Sequence, residues 1–261
     1  MKEMASALSI YFNSILRSTL LSRVITIGSL GFGLLYTAIG AYAAKGPLPI
    51  WFSFTYAGLL FIIMGLLARQ IIVSSGAYNY LIKYAGINPI KLILALFVTY
   101  VIMSIVYAPL ILVLFFLMYY TVGKLILSIN VAILSSAIIL SSVFITALGI
   151  LLGLIMTGRA IFSKFSFFIF YIPIILFYIS IFVTPPSLSM YNPITAMEIL
   201  LAISWEKGAT PSPYMVPMPS HVNVVIPVIT ILVSSAILLL ISVLLLKRVR
   251  EVNIYDVAMN F

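Results

Sequence analysis

Long apolar runs separated by short polar intervals dominate this chain. Six of them, at 24–44, 50–73, 92–122, 129–157, 165–183 and 224–246, come close to or exceed the roughly 20 residues that carry a helix across the ~30 Å hydrocarbon core. The third and fourth are longer than one crossing needs and too short for two, so they should tilt or project from the bilayer. Pro109 and Pro173 fall inside the third and fifth runs, where a missing backbone N–H predicts kinks.

The segment before the first run has a different pattern. At 100° per residue, Met4, Leu8, Tyr11, Phe12, Ile15, Leu16 and Thr19 share one side, and Lys2, Ser6, Ser9, Asn13 and Arg17 the other. A basic amphipathic helix of this kind lies in the membrane interface. Residues 1–22 are therefore expected to form an interfacial elbow helix that turns the chain into the first span. Ala41, Tyr42 and Ala43 resemble a signal cleavage site, but the apolar run before them is about 20 residues, beyond the 7–15 of a signal core. It is read as a retained span.

Composition agrees with lipid as the solvent. Hydrophobic residues make up 64% of 261 positions and charged residues 7%, a proportion that could not cover the surface of a water-soluble domain. The net charge of +9 comes from 14 Lys and Arg against five acids. The basic residues are scattered rather than gathered on one face, which excludes nucleic acid as the expected partner. Their distribution sets the orientation. With the N-terminus in the cytoplasm, Lys2, Arg17, Arg23, Arg69, Lys83, Lys91, Arg159, Lys164, Lys247, Arg248 and Arg250 fall inside, and only Lys45, Lys124 and Lys207 outside. That asymmetry is a positive-inside signal. The expected fold is an all-α polytopic membrane protein: one transmembrane domain over 1–261, with the elbow helix, six spans and both termini cytoplasmic. Residues 247–261 form the cytoplasmic tail, and the cell (plasma) membrane is the expected location.

Two connections exceed a simple turn. Residues 74–91 are cytoplasmic and place Tyr78, Tyr80, Leu81, Ile82 and Tyr84 among polar neighbours. Residues 184–223 are outer, rich in proline, and hold a short helical stretch at 194–205. Asn192 followed by Pro193 suits the start of that helix, because Asn accepts from free backbone N–H groups and Pro at the first position loses nothing.

Little here points to catalysis. Cysteine is absent and His221 is the single histidine, so thiolate chemistry and a multi-histidine metal site are excluded. The acids Glu3, Glu198, Glu206, Glu251 and Asp256 all lie outside the six runs, which removes a carboxylate relay within the spans. No Gly-rich loop ending in Gly-Lys-Ser/Thr occurs, so no nucleotide or other cofactor is expected on this chain. Arg69 is the one charge inside an apolar run. It stands about a turn from the cytoplasmic end of the second span, where it can snorkel to the headgroups or serve an inner gate. Gly149 and Gly153 form a small-xxx-small pair on the fourth span, a helix-packing signal.

This arrangement resembles the type-2 ABC transporter permease family. Two stretches carry the likeness in sequence. The first is Gly76, Tyr78, Tyr80 and Leu81 followed by Gly86, Asn88, Pro89, Lys91 and Leu94, similar to the family's cytoplasmic segment between spans two and three. Ser74 and Ser75 stand where the family often carries acidic residues. The second is Tyr191, Asn192, Pro193, Thr195 and Glu198, similar to the stretch after the fifth span where a short helix re-enters the outer membrane face. The resemblance implies the permease subunit of an ATP-driven exporter, paired with a second copy or a paralogue around a pathway for an unidentified substrate. Two separate ABC ATPase subunits would dock beneath it and hold the ATP and Mg. On that reading Tyr78, Tyr80, Leu81 and Ile82 form the apolar face of an ATPase-coupling lever flanked by Tyr11, Phe12 and Arg17, and Asn192, Pro193 and Glu198 belong to an outer gate. An ion-gradient-driven transporter or channel, and a non-transporting membrane anchor, are the alternatives.

Overall fold

The computed structural model describes residues 23–43, 48–75, 78, 80, 82, 84, 86–121, 129–157, 171–205, 219 and 221–249. The expected elbow helix, and with it Tyr11, Phe12 and Arg17, lies outside the described residues, as do Leu81 and the tail beyond Val249.

Seven α-helices lie among the described residues, and no strand. Helix α1 is Arg23–Ala38 and runs on as a π-helical turn, Ile39–Ala43. Then follow α2 (Leu48–Val73), α3 (Pro89–Thr121), α4 (Val131–Met156), α5 (Tyr171–Val183), α6 (Pro193–Ile203) and α7 (Val225–Val249). Four of them, α2, α3, α4 and α7, are long and apolar enough to cross a membrane. Helices α1 and α5, expected as the first and fifth spans, are shorter apolar helices over the residues whose side chains are described. This is an all-α membrane protein. Helix α3 continues through Pro109, whose ring faces outward. Pro173 sits in the first turn of the described part of α5.

Asparagine marks the start of four helices. The Asn88 side-chain oxygen accepts from the Ile90 N–H at 2.9 Å, and Asn130 from Ile133 at 3.1 Å. Asn192 accepts from Ile194 at 3.0 Å and Asn223 from Val225 at 3.1 Å. Each satisfies a backbone donor that a helix terminus leaves unpaired, at the boundary where an apolar run begins.

Helix α2 is the hub and packs against α1, α3, α4, α5 and α6. Its closest neighbour is α4, and glycines explain the approach. A Cβ built on Gly149 would stand 3.1 Å from Leu67 and 3.2 Å from Met64, and one on Gly153 would stand 2.8 Å from Ile71. With no lipid-excluding force between apolar helices, such close backbone contact is what holds them together. Aromatic rings fill the remainder: Phe52 stacks on Tyr56 at 5.9 Å and meets Phe115 edge-on at 5.5 Å. Helix α7 lies on the outside of the bundle, against α4 and α6 and only slightly against α3.

Candidate functional site

Beyond Val73 the chain keeps helical hydrogen bonding for a few more residues. The Ser74 N–H donates to the Gln70 carbonyl and the Tyr78 N–H to the Ser74 carbonyl, both at 2.9 Å. Side chains two residues apart on a helix point about 200° apart, on opposite faces. Tyr78 and Ile82 accordingly turn into the bundle, lining a small apolar crevice with Ile71, Leu92, Leu96 and Leu154. Tyr80 and Tyr84 turn outward, 60% and 69% exposed, with their rings 5.2 Å apart. The single apolar face expected of Tyr78, Tyr80, Leu81 and Ile82 is thus divided among its described members. One pair anchors the segment and the other protrudes. Gly86 then takes a left-handed φ of 64°, a conformation side chains resist, and the chain turns into Asn88, Pro89 and α3. Arg69 is exposed on the last turns of α2, near this same end. Beside it Gln70 accepts a hydrogen bond from the Tyr100 hydroxyl.

At the other end of the bundle lies α6. Asn192 organises its start with all of its side-chain groups. While its oxygen caps Ile194, its amide donates to Ser180 Oγ at 2.7 Å and to Thr184 Oγ1 at 2.8 Å. Ser180 belongs to the last turn of α5 and Thr184 follows it directly, so the two consecutive helices are tied by one side chain. Pro193 opens α6. Thr195 is buried and donates to the Ser189 carbonyl at 2.5 Å. The far end of α6 is held as well: the Asn130 N–H donates to the Ser204 carbonyl at 2.7 Å, within an antiparallel bridge between Ile129 and Trp205. The Trp205 ring sits between Phe52 and Phe116 at 5.7 and 6.0 Å.

Glu198 stands in the middle of this short helix and is fully buried. Neither of its oxygens has a hydrogen-bond partner among the described residues. Helix α6 is not one of the spanning helices, and it is enclosed by α2, α4, α5 and α7. Burial in that apolar surround raises the Glu198 carboxyl well above the usual carboxylate range, because an ion removed from water without a partner is strongly disfavoured.

Of the residues expected at the outer end, Asn192, Pro193 and Glu198 lie together on α6 and its cap, and Arg69 lies at the opposite end of the bundle with Tyr78, Tyr80 and Ile82. Ser180 and Thr184 were not foreseen as partners of Asn192. Their signal was present, since two hydroxyl residues spaced by four at the end of an apolar run share one helix face. Tyr36 and Tyr178, whose hydroxyls meet at 2.8 Å between α1 and α5, carried no such signal. No protein-family model, no curated protein and no solved structure matches the chain.

Proposed function

We propose that this chain is the membrane-spanning subunit of an ATP-driven transporter of the type-2 ABC permease kind, acting as an exporter in the plasma membrane. Its six spans would include α1 and a longer α5, with the elbow helix at 1–22 and both termini in the cytoplasm. Two copies, or one copy and a paralogue, would enclose the pathway, and two ATPase subunits would dock on the cytoplasmic side. The observation that carries this reading is the two-faced segment after α2. Tyr80 and Tyr84 protrude while Tyr78 and Ile82 hold the same segment to α3 and α4. A partner gripping the exposed pair would push on the anchored one, which is how rigid-body motion passes from a docked subunit into a helical bundle. The clasped helix α6 at the opposite end suits a part that must open last.

The test is purification of the tagged full chain in mild detergent from its native host, followed by identification of co-purifying subunits and an ATPase assay. An ATP-hydrolysing partner is expected, and Tyr80→Asp with Tyr84→Asp should release it while the chain still elutes as a folded species. A folded chain that never brings an ATPase overturns the reading. The buried carboxyl of Glu198 favours one second reading, transport driven by a proton gradient. Flux that survives ATP depletion and collapses with a protonophore would select it.

A further inference from the structure

Among the described residues, every other buried polar side chain near α6 is either a small hydroxyl or an aromatic group that tolerates an apolar surround; Glu198 alone of these would carry a full charge in water at neutral pH. Among the described residues, nothing charged is placed to meet it; Tyr191 and His221, both exposed, stand beside Met190 and Val222, which pack against the cluster of Ile50, Ile199 and Ala202. On α2 the titratable groups are Tyr56, whose hydroxyl donates to the Ser104 carbonyl at 3.1 Å, and Arg69, near the inner end. Helix α4 has no charged or titratable residue. On α5 they are Tyr171, at the opposite end of that helix from Asn192, and Tyr178, engaged with Tyr36. On α7 they are Lys247 and Arg248, in the last turn and more than 20 residues beyond the end that meets α6. Helix α6 itself has no other ionisable group. A carboxylate buried without a partner is strongly disfavoured as an ion.

We propose that Glu198 is a proton-binding site: its carboxyl carries a proton while α6 is seated among α2, α4, α5 and α7, and gives that proton to water when α6 leaves that seat. The ligand is the proton itself, taken from or returned to water, and no other group changes bonding. The proposal stands on the burial of α6 and not on the transporter reading, so it holds equally for a channel or an anchor subunit. Its sign is fixed. The seated form binds a proton that the unseated form releases, so rising pH favours unseating and falling pH favours seating. Above the ordinary glutamate value of 4.5, the ratio of unseated to seated protein should grow by up to tenfold per pH unit until the seated group also ionises.

Two measurements on the full chain in lipid nanodiscs test this. In the first, carbon-13-labelled glutamate is followed by infrared spectroscopy at neutral pH. The chain has four glutamates, Glu3, Glu198, Glu206 and Glu251, and one protonated carboxyl band is expected, absent in Glu198→Gln. A spectrum with all four ionised overturns the proposal, and would mean that a cation faces Glu198. The second uses the absence of native cysteine. A single Ala196→Cys, at a buried position of the same helix, is labelled with a membrane-impermeant maleimide between pH 5 and 9. Its rate is divided by that of the same cysteine in the Glu198→Gln background, which removes the thiol's own pH dependence. The ratio should climb with pH; a flat ratio overturns the proposal. Should Glu198→Gln not fold, the labelled wild-type spectrum decides alone. Failure here with an ATPase still bound leaves the transporter reading intact, and a protonated Glu198 without any ATPase separates the two the other way.

Discussion

Helices α2 and α7 are both long enough and apolar enough to cross a bilayer, and α7 is the more hydrophobic of the two. Yet 94% of the most apolar stretch of α2 is buried within the protein against 17% for α7. In water this order would be reversed, since the more apolar helix would be driven inward. In lipid there is no such drive, and position is decided by what packs or hydrogen-bonds better against protein than against acyl chains. Helix α2 carries Ser53, Thr55, Tyr56, Gly58 and Gly65, which are poor company for lipid, and each is buried. Helix α7 turns Ile229, Leu232, Val233, Ile237 and Leu240 outward, branched side chains that lipid accepts readily.

The contrast can be broken by substitution. The largest loss is expected from Phe52→Ala on α2, which empties a site walled by Tyr56, Phe115 and Trp205 and should cost about 3–5 kcal/mol. A lowered midpoint in detergent-denaturation titration would register it. Next comes Gly153→Val on the α4 face that meets α2. Its new Cβ has to displace Ile71, for an expected ~1–3 kcal/mol, read by the same titration. Asn192→Ala removes the cap of α6 and both bonds to the end of α5. It should cost about 0.5–2 kcal/mol and raise hydrogen exchange in α6 before any other helix. The smallest effect belongs to Leu240→Ala on α7, a residue 62% exposed, within about 0.5 kcal/mol. A large loss there, or a change in oligomeric size on a calibrated column, would mean that α7 faces protein in the assembled state and would end the comparison.

These differences also mark what could be read in advance. The positions of the spans were legible because apolar character adds up over some 20 residues, so one polar residue does not hide a helix. The expected 50–73, 129–157 and 224–246 met Leu48–Val73, Val131–Met156 and Val225–Val249. The small-residue pair Gly149 and Gly153 likewise identified a packing face, because backbone approach has few other uses for that spacing. Which helix is central was not legible, since lipid and protein interior ask for the same side chains. Which of the two pairs, Tyr78 with Ile82 or Tyr80 with Tyr84, faces the bundle was hidden because all four are apolar enough for either side. Glu198 was expected at the outer gate, but its burial depends on α2, α4, α5 and α7 closing over it, and no local pattern in 193–203 records that.

The two tethers of α6 have a mechanical consequence. A rigid rod pinned at both ends cannot swing or slide, and the buried bond from the Thr195 hydroxyl to the Ser189 carbonyl resists its rotation as well. Asn192 is one bearing, on the end of α5, and the contact of Trp205 and Ser204 with Ile129 and Asn130 is the other, on the head of α4. With residues 195–202 buried on every side, the element is built as a bolt shot between α5 and α4 rather than as a flap.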